Sequence, residues 1–258
     1  MKLGLVLAAM FLSRASAATP DTVFLEDLTW TEVRELLRAG TRTILLPTGG
    51  TEQNGPHIVI GKHNYRVRFA AERIARKLGK TLVAPVLPFA PEGEFNMKFP
   101  GTIDLPDEYF LKVIEHAARS LKRHGFRDIF IIRDSGSNRE AMMAMLKTLN
   151  AEWKDSETRI HMVPEYRSNG FDAWLIQKGE SKADIGLHAG VLDTSLIMAV
   201  DPKHIRRDKL RDRDSFEGSV NGNPARASEA YGRKGVAMMI DASVTRIREL
   251  VAAPRARN

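Results

Sequence analysis

Glu52, His57 and His63 stand in one loop with Asn54 between them, and such side chains can hold a divalent cation or a reacting water. The loop, 46–64, follows the short apolar run Thr43-Ile-Leu-Leu and is broken by Pro47 and Gly49-Gly50, so it leaves the end of a buried strand. Asp134, His188 and Asp193 occur in other polar loops. Glu, His and Asp side chains that converge from several strand ends suit a hydrolytic zinc or manganese site. They bind the ion, leave a position for water and lower that water's pKa. The spacing of Glu52 and His63 does not by itself establish convergence. Each residue also has a plainer role open to it: Asp134 and Asp193 as helix caps, His57 and His188 as donors to buried carbonyls.

Strand and helix signals alternate along the chain. Thr29 and Glu32 have capping-box spacing, opening a short helix that ends at Gly40. Apolar runs at 43–47, 81–86, 128–134 and 159–163 read as strands. Between them, helical periodicity covers 64–78, 106–125 and 139–153. On 64–78 the apolar face is Val67, Ala70, Ala71, Ile74, Ala75 and Leu78, with the basic residues expected mostly on other faces. The segment 87–106, rich in Pro and Gly, is a long loop in which Phe95 and Phe99 are candidates to wall a pocket while Glu92 and Glu94 sit at its rim. A short helix at 169–177 and a charged loop at 178–185 precede the segment 186–195, whose His188, Asp193, Thr194 and Ser195 lie at or near a helix start. Free N–H groups there favour an anionic oxygen. The last helix, 227–251, is expected to be interrupted near Gly232 and Gly235. This order predicts an α/β fold, a three-layer α/β/α sandwich with a mostly parallel central sheet, over 18–258 as one domain.

Residues 1–17 combine Lys2, an apolar stretch and Ala15-Ser16-Ala17, the pattern of a cleaved secretory signal. The apolar run is shorter than the roughly 20 residues of a membrane span. Export to the periplasm or beyond is the expectation, with no membrane association after cleavage. Cleavage lowers the net charge from +7 to about +5. There is no cysteine, which excludes thiol catalysis and disulfides. The basic residues are dispersed, and the run 206–213 is interleaved with acids, so nucleic acid is not an expected partner. Neither a G-x-S-x-G elbow nor a phosphate-binding glycine loop is present.

Four segments together resemble the creatininase family, the creatinine amidohydrolases. The family's E-x-H-G-P-H-L-P-x-G-x-D loop stands here as Glu52-Gln-Asn-Gly-Pro-His-Ile-Val-Ile-Gly-Lys-His63, and F-P-G-T-I as Phe99-Pro-Gly-Thr-Ile103. H-A-G-x-x-E-T-S is matched by His188-Ala-Gly-Val-Leu-Asp-Thr-Ser195, and the late G-x-P-x-x-A-S by the segment ending at Ser228. The resemblance implies an α/β/α sandwich, a homo-oligomer (often a hexamer), and a two-metal site that hydrolyses cyclic amides and related bonds. Four positions depart: Asn54 replaces a ligand His, His63 an Asp, Asp193 a Glu, and Ser135 the ligand His of a G-H-G-G-N loop.

From the matches and departures the expectation is a metal-dependent hydrolase acting on a C–N bond of a cyclic or small amide, or on a lactone. Glu52, His63 and Asp193 would hold one zinc or manganese ion rather than two. His188 or His57 would orient the substrate or move protons, Asn54, Asp134 and Ser135 would be weak ligands or supporting groups, and N–H groups near Thr194 would steady an oxyanion. The alternative is a catalytically silent member that binds a small polar ligand or serves as a structural subunit.

Overall fold

The computed structural model describes residues 20–136, 139–211 and 218–255. The expected signal segment lies outside the described residues, as do Asn138 and the last two residues of the basic run at 206–213.

Four parallel strands form the sheet: β1 (Thr43–Thr48), β2 (Thr81–Val83), β3 (Asp128–Arg133) and β4 (Arg159–Met162), in the order β2-β1-β3-β4. β1 and β3 pair along their whole length, Thr43 opposite Asp128 through Thr48 opposite Arg133. Both strands read as continuous apolar runs because both sheet faces are covered. Alternate side chains serve opposite cores. Leu45, Val83, Phe130 and Ile132 point to one face, Ile44, Leu82, Ile129 and Ile131 to the other.

The helices among the described residues are α1 (Trp30–Arg38), α2 (Lys62–Leu78), α3 (Gly93–Asn96), α4 (Asp107–Arg123), α5 (Arg139–Glu152), α6 (Phe171–Gln177), α7 (Lys182–Ile185), α8 (Val191–Val200) and α9 (Glu229–Ala252). α2, α8 and α9 cover the first face through Val67, Ala70, Ile74, Leu196, Val236 and Ile240. α4 and α5 cover the second through Phe110, Ile114, Met142 and Leu146, with Leu36 and Leu37 of α1 at its margin. Each of the Val, Leu, Ile, Phe and Met side chains among these contributes about 1.5–3 kcal/mol by leaving water. The α/β/α sandwich expected from the alternation is therefore the observed fold.

Three local differences follow from tertiary packing. α2 begins at Lys62, capped at Gly61, rather than at residue 64, so Lys62 and His63 lie in its first turn. α9 is continuous through Gly232 and Gly235. A Cβ at Gly232 would lie 1.8 Å from the Ser195 carbonyl oxygen, so this glycine permits the close crossing of α8 rather than breaking the helix. The charged loop at 178–185 contains α7, started by the Ser181 hydroxyl accepting from the Asp184 N–H.

The strand order places the switch between β1, which leads to β2 on one side, and β3 on the other. Crevices at the carboxyl ends of such strands are where α/β sheets bind ligands. Here that crevice receives the 49–61 loop, Asp134 and the first turn of α2.

Candidate functional site

A cavity of about 840 Å³ opens over the carboxyl ends of β1 and β3, lined among others by Glu52, Lys62, His63, Arg66, Glu92, Asp134, Ser135 and His188. The long 87–106 segment forms one wall. It is tied down by the Asp104 carboxylate, which accepts from the Glu92 and Gly93 N–H groups, and by bridges from Thr51 to Ile103 and Ala90 to Asp104. Gly50 is a glycine because its Cβ would lie 2.3 Å from Glu92 Oε1 and 2.9 Å from Ser135 Cβ.

Beneath the cavity lies a buried cluster of acids and bases. Lys62 and Arg66, one helical turn apart on α2, aim the same way. Lys62 is 1% exposed and Arg66 5%. The Lys62 ammonium donates to Asp193 Oδ2 at 3.0 Å and stands 3.8 Å from Glu52 Oε1. The Arg66 guanidinium donates to Asp193 Oδ1 at 2.6 Å and to Asp134 Oδ1 at 2.6 Å and Oδ2 at 2.9 Å. His63 lies between two carboxylates, Nε2 2.5 Å from Glu52 and Nδ1 2.5 Å from Asp134. Each of its ring nitrogens is thus engaged by a carboxylate oxygen. Tyr166 completes Asp134 by donating its hydroxyl to Oδ2 at 2.5 Å.

Burial by itself would push the three acids up, but their partners overcome it. Arg66 and His63 hold Asp134 well below the usual carboxylate range. Lys62 and Arg66 do the same for Asp193. Glu52 is pulled down by the His63 hydrogen bond and the Lys62 charge. Glu92 moves the opposite way: burial and then the neighbouring Glu52 carboxylate push it up, so its carboxyl holds a proton.

His188 reaches the cavity from the turn before α8. Its backbone exchanges hydrogen bonds with Asn221, N–H to Asn221 O at 3.2 Å and Asn221 N–H to its own carbonyl at 2.8 Å, so the late 221–228 segment serves to position it. Its Nε2 lies 2.9 Å from the Gln53 carbonyl oxygen and 3.0 Å from the Gln53 side-chain amide nitrogen, and its Nδ1 stands 3.8 Å from Glu52 Oε1. Burial, then the Lys62 charge, lowers its pKa. The following residue, Ala189, has φ 55, a left-handed conformation that L-residues rarely adopt. It directs its N–H to Asp193 Oδ2 at 3.0 Å.

The residues singled out in the sequence therefore separate. Glu52, His63, Asp134, Asp193, Ser135 and His188 converge on one cavity. His57 does not line it: fully buried, it bonds Ala189 O and Thr194 Oγ1 through Nε2, and burial lowers its pKa to about 4. Asn54 donates to the Glu52 carbonyl at 2.9 Å and shapes the loop. The Thr194 N–H is taken by the Gly190 carbonyl inside α8, so it cannot serve an oxyanion. Phe95 and Phe99 meet edge to face at 5.7 Å, Phe95 is 53% exposed, and neither lines the cavity. Pro91, Glu92 and Asn96 do so in their place, and Asn96 donates to Glu52 Oε2 at 2.9 Å.

Sequence reasoning missed Lys62, Arg66 and Tyr166. One signal was present for Arg66: it continues the line 66, 70, 74 of the apolar stripe, where a basic residue implies a buried partner.

The fit of a divalent ion follows from these contacts. Each carboxylate oxygen of Glu52, Asp134 and Asp193 already accepts a hydrogen bond from a neighbouring side chain. Both nitrogens of His63 are likewise engaged. Among the described residues no three His, Asp or Glu side chains are arranged to hold a metal ion. In this arrangement the donors do not fit one.

A model of the creatininase family, described as creatinine amidohydrolase, matches residues 26–247. The creatinine amidohydrolase of Pseudomonas putida is 25% identical over 210 residues, covering 74% of this chain and 76% of its own. The mycofactocin precursor peptide peptidase of Mycolicibacterium smegmatis is 24% identical over 228 residues, covering 80% and 84%. A solved creatininase in a manganese form aligns with TM-score 0.77 and 23% identity over 90% of this chain and 100% of that one. A Zn-Zn form of a creatininase variant aligns with TM-score 0.78 and 22% identity over 91% and 100%. At these identities the structural likeness establishes a shared fold.

Proposed function

Because the chain belongs to the creatininase family, a family of metal-dependent hydrolases, we propose that it hydrolyses a C–N bond of a small polar amide, cyclic or linear, or the ester bond of a lactone, in the cavity over β1 and β3. Relatives named as a creatinine amidohydrolase and as a peptide peptidase both act on such C–N bonds. The observation that carries the reading is the His188 ring at the cavity, anchored through Nε2 on Gln53 with Nδ1 3.8 Å from the Glu52 carboxylate.

Hydrolysis adds water across the bond: a C–O bond forms, the C–N bond breaks, and the leaving nitrogen takes a proton. His188 Nδ1 accepts the proton of the attacking water. The protonated Glu92 carboxyl, on the wall formed by the 87–106 segment, supplies one to the leaving group. Two carboxyls driven to opposite protonation states are suited to such a division of roles. The Lys62 ammonium at the cavity floor supplies positive charge for the developing oxyanion.

The test is a screen of cyclic amides, short peptides and lactones against the purified chain, with and without chelator. Turnover that falls about 100-fold or more in His188→Gln, with Tm unchanged, supports the reading. A second reading keeps one zinc or manganese ion on Glu52, His63 and Asp193. The manganese and Zn-Zn forms of solved creatininases favour it, and it requires Lys62 to leave Asp193. Chelator-sensitive turnover would select it. Saturable binding without turnover would instead indicate a silent member that binds a small polar ligand.

The proposal extends to export after cleavage of 1–17, to a homo-oligomer such as a hexamer, and to the absence of nucleic-acid or membrane partners. Mass spectrometry of the mature N-terminus and light scattering of the purified protein test the first two.

A further inference from the structure

We infer that Lys62, Arg66 and His63 are this chain's own replacement for bound divalent cations, so that the folded protein neither needs nor retains a metal in this cavity. The inference goes beyond the hydrolase reading and holds whether or not the chain turns over a substrate.

Three buried carboxylates, Glu52, Asp134 and Asp193, come together at the ends of β1, β3 and the start of α8. Buried carboxylates this close repel one another and require positive charge between them. That charge is provided from one element. Lys62, His63 and Arg66 all come from the first turns of α2, and every carboxylate of the set touches at least one of them within 3.0 Å. Lys62 and Arg66 bring two permanent positive charges among the three carboxylates, and both ring nitrogens of His63 are taken by Glu52 and Asp134, so the positive charge and the contacts that a divalent ion would supply are already in place.

The geometry agrees with the charge. The Lys62 Nζ lies between Asp193 and Glu52, where an ion shared by the two would have to sit. The Arg66 fork bridges Asp193 and Asp134 with planar, directed donors, a task to which guanidinium is suited and which fixes the two carboxylates at a set separation. Asn54 and Ser135 add no charge. Ser135 Oγ lies 3.3 Å from Glu92 Oε2, and Glu92 is held neutral. A zinc or manganese ion would have to displace an ammonium tethered in the same chain and leave that ammonium buried without a partner.

The experiment measures metal binding, not turnover, so its outcome is separable from that of the hydrolysis screen. The full chain is dialysed against metal-free buffer, analysed for metal content, and titrated with zinc and with manganese by calorimetry and by thermal unfolding. The wild type is expected to hold substoichiometric metal and to show no rise in Tm with either ion. Lys62→Met keeps an unbranched side chain one atom shorter and removes its charge, so Glu52 and Asp193 are left under-neutralised. This variant is expected to gain one equivalent of zinc and a rise in Tm on adding it. Stoichiometric metal in the wild type, or a zinc-dependent rise in its Tm, would overturn the inference. A Lys62→Met variant that folds and gains no zinc would overturn the place given to Lys62. Should that variant not fold, the wild-type isotherms decide alone.

Discussion

Helix α2 carries basic side chains on two faces, and their contrast shows how much burial changes the meaning of an ion pair. On the outer face Arg76 bonds Asp21 at 2.9 Å and Glu72 at 3.1 Å, Lys77 bonds Asp241 at 2.6 Å, and Arg68 bonds Glu26. On the inner face Lys62 and Arg66 make contacts of the same length with Asp193 and Asp134. The outer pairs are screened by water and salt and are worth little. The inner ones were taken out of water with their partners, so removing one member strands the other. The same residue types on one helix thus serve solubility on one side and the architecture of a cavity on the other.

The contrast should break most visibly at Arg66. Arg66→Met leaves both Asp134 and Asp193 short of a partner and should cost about 3–5 kcal/mol in chemical denaturation. Arg66→Lys should recover only part of this, because an ammonium cannot bridge two carboxylates as the planar fork does. A loss well under that range would mean that water reaches the cluster and that the inner pairs resemble the outer ones.

Tyr166→Phe removes one hydrogen bond to the ionised Asp134 and should cost about 1.5–3 kcal/mol. It leaves the charge balance intact and so separates hydrogen bonding from charge at the same carboxylate.

Acid sharpens the comparison in a third way. His57 is buried, and its pKa is lowered from 6.5 to about 4 in the folded protein. Between those values the unfolded chain binds a proton that the folded chain refuses, so stability falls as pH drops from about 6.5 to about 4 and this contribution levels off below. His188 and His161, also lowered, add to the slope in the upper part of that window. The depressed Asp134 and Asp193 act separately, losing stability as pH falls below 3.8, the ordinary value. Unfolding measured across pH 4–7 should show a shallower slope in His57→Gln. An unchanged slope would remove His57 from the explanation. The smallest effect is expected at Arg76→Ala, on the outer face, with no measurable change in Tm at physiological salt.

The sequence alone determined the strands, the layer order and the loops that bear the site. Apolar runs and helical periodicity are local signals, and a strand buried on both faces must be apolar throughout, as 44–46 and 129–132 are. It also marked Glu52, His63, Asp134, Asp193, Ser135 and His188, since their types and loop positions are visible without coordinates. What lies between those side chains was decided by tertiary structure. Starting α2 at Lys62 rather than two residues later moves Lys62 and His63 from a loop into a helical turn and aligns Lys62 with Arg66. Helix starts are set by caps and packing more than by periodicity, and Gly61 gives no side-chain cap to read. The sequence therefore showed the acids that could hold an ion, while only the packing of α2 against β1, β3 and α8 showed the cations already among them.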